Sequence, residues 1–132
     1  MYQEQRQHRR SDSSWHEQLE VPERRDTDSG GGGDPVGAAR HVHSQLADDG
    51  TWLVVEPFAG DAVEDNLNPV GRIFYAGSTM LCTPASLSQE VGLALGAQAG
   101  EQRLAEVLHE GGFSRVRRAA ETPFNLVLEV RP

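Results

Sequence analysis

Lysine is absent from this chain, and all twelve basic residues are arginine. They stand against twenty acids, for a formal net charge of −8. Nowhere do they gather into the basic stripe that releases counterions from phosphates, so a nucleic-acid partner is not expected. Cysteine occurs once, at Cys82. That excludes an internal disulfide and any multi-cysteine metal site, and it fits a reducing, cytoplasmic setting. No apolar run reaches the length that crosses a bilayer, and the opening "MYQEQRQHRR" carries charge with no apolar stretch behind it. Neither a membrane segment nor a secretory signal is expected. Apolar residues are 37% of the 132, below the usual globular share, and the shortage is concentrated at the front of the chain.

That front is residues 1–33, "MYQEQRQHRRSDSSWHEQLEVPERRDTDSGGGG", where Trp15, Leu19 and Val21 are the sizeable apolar residues after Tyr2. Such a block cannot bury enough surface to offset its ordering entropy, so it reads as a disordered polar and glycine-rich segment. Around "SWHEQLE" a short helix capped by Ser14 is marginal on its own in water. Residues 34–132 are then the folded unit.

The pattern changes at "DPVGAARHVHSQLADDG". Asp34 is a good helix N-cap, Pro35 suits the first helical position, and Val36, Ala39, Val42, His43 and Leu46 share one face. Gly50 ends that helix. "TWLVVE" follows as a strand whose unbroken apolar run, Trp52 to Val55, predicts cover on both faces within a parallel sheet, and Pro57 stops it. Residues 58–100 form a long insert: a loop, "VGRIFYAGSTMLC" with helical spacing, and "TPASLSQEVGLALGAQAG" opened by Thr83 and Pro84. Inserts of that length are more often functional than idle. "EQRLAEVLHEGG" is a helix with Leu104, Val107 and Leu108 inward and Gly111 and Gly112 as its stop. "FSRVRRAAE" and "PFNLVLEVR" are strands close enough to pair antiparallel.

Individual chemistry-bearing residues have bland readings beside their sharp ones. Glu56 ends its strand and is a candidate general base or hydrogen-bond acceptor, or a solvated turn acid. His41 and His43 lie two apart on a helix, so they point to nearly opposite sides and do not share a metal ion; one half-buried and one solvated is the expectation. His109 closes its helix as a cation near the C-terminal dipole. Cys82 lacks a His or Asn signature and reads as a buried, inert thiol. Asp61, Glu64 and Asp65 lack the spacing of a calcium loop and read as a solvated loop face. Arg115 to Arg118 read as the wet side of an edge strand.

Taken together, "GDPVGAARHV", "LADDGTWLVVEPFAGD", "DNLNPVGRIFYAGSTMLCTPASLSQEVGLALGAQAG" and "AAETPFNLVLEVRP" resemble the C-terminal half of a class I S-adenosylmethionine-dependent methyltransferase. The resemblance is to an actinobacterial group whose members also carry an N-terminal winged-helix region, and it covers residues 33–132. It implies an α/β fold: a partial Rossmann-like methyltransferase sheet with flanking helices and a helical insert. Thr51 to Glu56 would be strand five, and the final pair antiparallel strands six and seven. It implies transfer of the sulfonium methyl of S-adenosylmethionine to a small molecule. Glu56 would stand at the rim of the substrate cleft. The insert would fold over that cleft, with Phe74, Tyr75, Met80 and Cys82, and with Phe124 and Asn125, as substrate-binding candidates.

The family's donor site has no counterpart among these residues. A glycine-rich turn after a first strand, an acid ending a second strand and contacts near the third and fourth are all unplaced. The run "SGGGGDP" follows "EVPERRDTDS", which is no strand, and reads as a flexible joint. In relatives the residues before "GDPVGAARHV" form an apolar fourth strand, so the polar block departs from the family there. The departure points to a truncated or frame-shifted product, or to a split protein whose other half is a separate chain. Three functions follow from these alternatives: a small-molecule methyltransferase, a binding partner for a complementary N-terminal half (or a homo-oligomer), and a non-functional remnant. A regulator's recognition helix is not among the residues.

Overall fold

A computed structural model describes residues 33–132 of the chain. Apart from Gly33, the polar block, its short helix at Ser14 and the glycine joint lie outside the described residues. Gly33 itself is buried, and its carbonyl accepts a hydrogen bond from Leu93 N at 3.1 Å.

Helix α1 spans Pro35–Gln45, and its start is the one the sequence dictates. The Asp34 carboxylate accepts from Gly37 N at 2.8 Å and Pro35 fills the first turn, where its missing N–H costs nothing. Strand β1, Trp52–Pro57, follows a turn closed by Gly50 N to Ala47 O at 2.8 Å. A 3-10 turn at Val63–Asn66 leads to α2, Pro69–Gly77, capped by Asn68, whose side chain accepts from Gly71 N at 2.9 Å. A π-turn, Ser78–Cys82, carries the chain without a break into α3, Thr83–Leu87. After an irregular stretch come α4, Gly100–Glu110, β2, Arg115–Glu121, and β3, Asn125–Arg131.

The three described strands form one antiparallel sheet in the order β1-β3-β2. Both β1 and β2 pair antiparallel with β3, so they run in the same direction on either side of it. The described unit is thus mixed α/β. Its core is built where β3 turns Leu126, Leu128 and Val130 toward α1 and α4, against Ala39, Leu104, Leu108 and Phe113. The inward Leu104, Val107 and Leu108 face of α4 is as the spacing predicts, and all three are buried. Each such side chain contributes roughly 1.5–3 kcal/mol by leaving water.

Strand β1 corrects the expectation of cover on both faces. It is an edge strand of the described sheet, and the pleat divides its apolar run. Trp52 and Val54 point toward the helices, while Leu53 and Val55 are 58% and 59% exposed on the bare face. The two edges are handled differently. On β2 the register shifts between Arg118 and Ala120, Arg117 pairs with Glu129, and Arg118 pairs with both Glu101 and Glu121. A bulge and charge blunt that edge, as expected of its arginines. The β1 edge is apolar from Trp52 to Val55, with Glu56 and Pro57 only at its end, and its register with β3 is unbroken.

The insert bounds one expectation and corrects another. The segment opened by Thr83 and Pro84 stays helical only to Leu87. Beyond it the backbone takes left-handed conformations at Gly92 (φ 58°), Ala94 (φ 53°) and Gly96 (φ 70°), which no right-handed helix accommodates. Side chains replace the helical bonds there: Ser86 Oγ accepts from Ala94 N at 2.9 Å and Ser78 Oγ from Ala97 N at 3.0 Å. Cys82, expected to be buried, is exposed. The π-turn adds a residue to the helical turn, which keeps Ser78 and Ser86 both inward and leaves Met80, Leu81 and Cys82 outside. Among the described residues, no helix is long and apolar enough to cross a membrane.

Candidate functional site

Between β1, α1 and α4 lies a cleft of about 640 Å³, a volume typical of small-molecule sites. Trp52, Val54 and Glu56 form its floor, because alternate residues of a strand share a face. Helix α1 contributes Ala38 and Val42, α4 contributes Leu104 and Leu108, and the insert reaches in with Gln89 and Leu95. Asp34 and His41 also line it.

Glu56 is half-buried at the C-terminal end of β1. Burial pushes its carboxyl above the ordinary value, and no neighbouring charge or hydrogen bond among the described residues acts against that. The folded state therefore holds the Glu56 proton more tightly than the unfolded chain does. Stability from this group is highest below the ordinary value of 4.5, falls as pH rises through the raised value, and is lowest at neutral pH. Glu56→Gln is expected to raise the urea midpoint at neutral pH, with the advantage disappearing on acidification. A variant no more stable at neutral pH than the parent would show that the carboxylate is solvated.

The other candidates from the sequence fall into two groups. Phe124 and Asn125 sit at the same end of the sheet as Glu56: Asn125 pairs with Pro57, and the Phe124 carbonyl accepts from Phe58 N at 2.9 Å. Both are exposed, beside a smaller hollow of about 220 Å³ lined by Phe58, Asn66, Val70 and Pro123. Phe74 and Tyr75 are half-buried on α2, while Met80 and Cys82 are exposed, and none of these four lines the cleft. The insert does supply part of the wall, through Gln89 and Leu95 rather than through its aromatic and sulfur side chains. No polar motif marks Trp52, Val54 and Leu95 in the sequence, although the i, i+2, i+4 relation of Trp52, Val54 and Glu56 is a usable signal.

His41 is exposed and His43 half-buried, its ring edge-on to Phe113 at 5.0 Å between centroids. His109 Nδ1 lies 2.8 Å from the Phe113 carbonyl, which can only accept, so the nitrogen donates. Among the described residues no three or more His, Cys, Asp or Glu side chains are grouped to hold a metal ion. Asp61, Glu64 and Asp65 are exposed, yet Asp61 has a structural task beyond solvation. Its carboxylate accepts from Gln102 N at 2.8 Å and caps α4, whose own N-cap, Ala99, has no side chain able to do so. Gly100, at φ 75°, makes room, since a Cβ there would meet Asp61 Oδ1 at 2.5 Å. Such a cap contributes about 1 kcal/mol.

A nucleotide-like methyl donor calls for a glycine turn with free backbone amides after a strand. The loop leaving β1 contains Gly60, but Asn66 occupies it: Gly60 N donates to Asn66 Oδ1 at 2.8 Å, and Asn66 Nδ2 donates to Gly60 O at 3.0 Å. The loop after β1 therefore has no free Gly60 amide to offer such a donor. No protein-family model matches this chain, and no curated protein matches it either.

Proposed function

We propose that residues 33–132 form the acceptor side of a class I S-adenosylmethionine-dependent methyltransferase acting on a small molecule, with the donor held by residues outside this unit. The observation that carries the reading is Glu56, half-buried in an apolar cleft at the C-terminal end of β1. Open α/β sheets bind ligands beyond the carboxyl ends of their strands. A Rossmann-like sheet is the finer form of the fold in this reading. Support for it comes from β1 and β2, which run in the same direction, are linked through α2, α3 and α4, and have the reversed β3 between them. In this role Glu56 accepts the hydrogen bond of an incoming O–H or N–H, and the walls of Val42, Leu95 and Leu104 exclude water and fix orientation.

The open β1 edge favours a second, compatible reading, in which this chain binds a complementary donor half through that edge. Calorimetric titration of the full chain with S-adenosylmethionine tests both. No heat is expected from the chain alone, and binding is expected once the donor-holding half of a related methyltransferase is supplied in trans. Tight binding by the chain alone overturns the placing of the donor site outside residues 33–132. Silence with both halves present overturns the methyltransferase reading.

A further inference from the structure

We propose that the cleft between β1, α1 and α4 binds an amphiphilic ammonium ion, with its cationic head against Glu56 and its apolar body lying along Val54 toward Trp52. The inference concerns binding by this chain and does not depend on methyl transfer.

The floor of the cleft is polarised along its length. Glu56 and Trp52 are four residues apart on one face of a strand, so their backbone positions are about 13 Å apart, with Val54 between them. A carboxylate at one end and an indole at the other, joined by an aliphatic side chain, match an extended ligand with one charged end. The walls are largely apolar, with Val42, Leu95, Leu104 and Leu108, and the polar Gln89 lies against Gly33.

Charge decides the sign of the head. Among the described residues three titratable groups line the cleft: Asp34 and His41 from the α1 side, and Glu56 from β1. Neither α4 nor the insert contributes a charged side chain, and β3 sets Leu126 opposite Glu56. Asp34 uses one oxygen to cap α1, and His41 is exposed. Among the described residues no arginine lines the cleft, and the whole chain carries −8. An anionic amphiphile would meet only repulsion at Glu56. A neutral alcohol would offer the half-buried carboxylate one donor and no charge, whereas an ammonium ion supplies both the missing charge and several donors. A branched or compact cation would satisfy Glu56 and leave the apolar floor wet.

The full chain tests this in a Trp15→Phe background, where Trp52 is the remaining indole and its emission reports the far end of the cleft. The probes are n-octylamine, n-octanol and n-octanoate at neutral pH, each below its micellar range. The amine is expected to bind roughly tenfold or more tighter than the alcohol, the margin of one charge-assisted contact, with the carboxylate weakest. Glu56→Gln should abolish the amine's advantage over the alcohol. The shorter n-butylamine should bind without shifting Trp52 emission. Equal affinity for amine and alcohol on the unmodified chain overturns the proposal whether or not the variant folds. An amine preference that survives Glu56→Gln also overturns it, because the cation would then be held by the general negative charge of the surface.

Discussion

Phe113→Ala is expected to lower the free energy of unfolding by about 3–5 kcal/mol, the usual range for truncating a buried aromatic. The ring is 2% exposed and is held from several sides. His43 approaches it edge-on, and Trp52 lies against it at 5.6 Å between centroids with a 38° tilt. Its backbone is fixed as well, since Phe113 N donates to Leu108 O at 3.1 Å and its carbonyl accepts from His109. Phe113 therefore joins α1, α4 and β1 at one point. Against a typical domain stability of about 5–15 kcal/mol, its loss would remove a large fraction of the folded population. Urea unfolding followed by circular dichroism provides the measurement, and Phe113→Leu should recover most of the loss because it restores volume. A Phe113→Ala cost under about 1 kcal/mol would mean that this junction is not packed.

Asn66→Ala is expected to cost about 2–3 kcal/mol, because it strips a buried clamp rather than a surface contact. Asn66 is 4% exposed, and its amide spans the loop after β1 with bonds to Gly60 N, Gly60 O and Ala62 O, the last at 2.9 Å. Truncation leaves those backbone groups without their partner. Asn66→Asp keeps the acceptor for Gly60 N but loses both donated bonds and places a charge in a buried position, so it should be no milder than alanine. Amide exchange at Gly60 distinguishes this from a general loss of stability: the Gly60 amide should exchange faster than amides of β3 in the variant. Equal protection of the two would show that the loop is held by something else.

The legible parts of this fold are those whose causes are local. Asp34 and Pro35 start α1, Gly111 and Gly112 follow the end of α4, and the alternation of Leu126, Leu128 and Val130 sets the core face of β3. Each signal lies within a few residues of its effect. The insert is only partly legible because its determinants act at a distance. Ser78 accepts from an amide 19 residues away, and Asp61 caps a helix that begins beyond α3, with its bond spanning 41 residues. Periodicity carries no trace of such partners. The candidate site was half legible for the same reason. Glu56 stood out as a strand-ending acid, whereas the apolar walls around it are assembled from four separate parts of the chain. The run Trp52 to Val55 misled because an unbroken apolar strand looks alike whether one face or two are covered.

The position of β3 between the other two strands also governs events during synthesis. β1 and β2 have no partner in the described sheet until Asn125–Arg131 has been made. For β1 the wait covers the whole chain from Pro57 to Asn125, which at about 5–20 residues per second is roughly 3–14 s. Throughout that interval "WLVV" is an unpaired β-prone segment on a nascent chain. The arrival of β3 covers one edge of that segment, which until then is exposed to pairing with other chains.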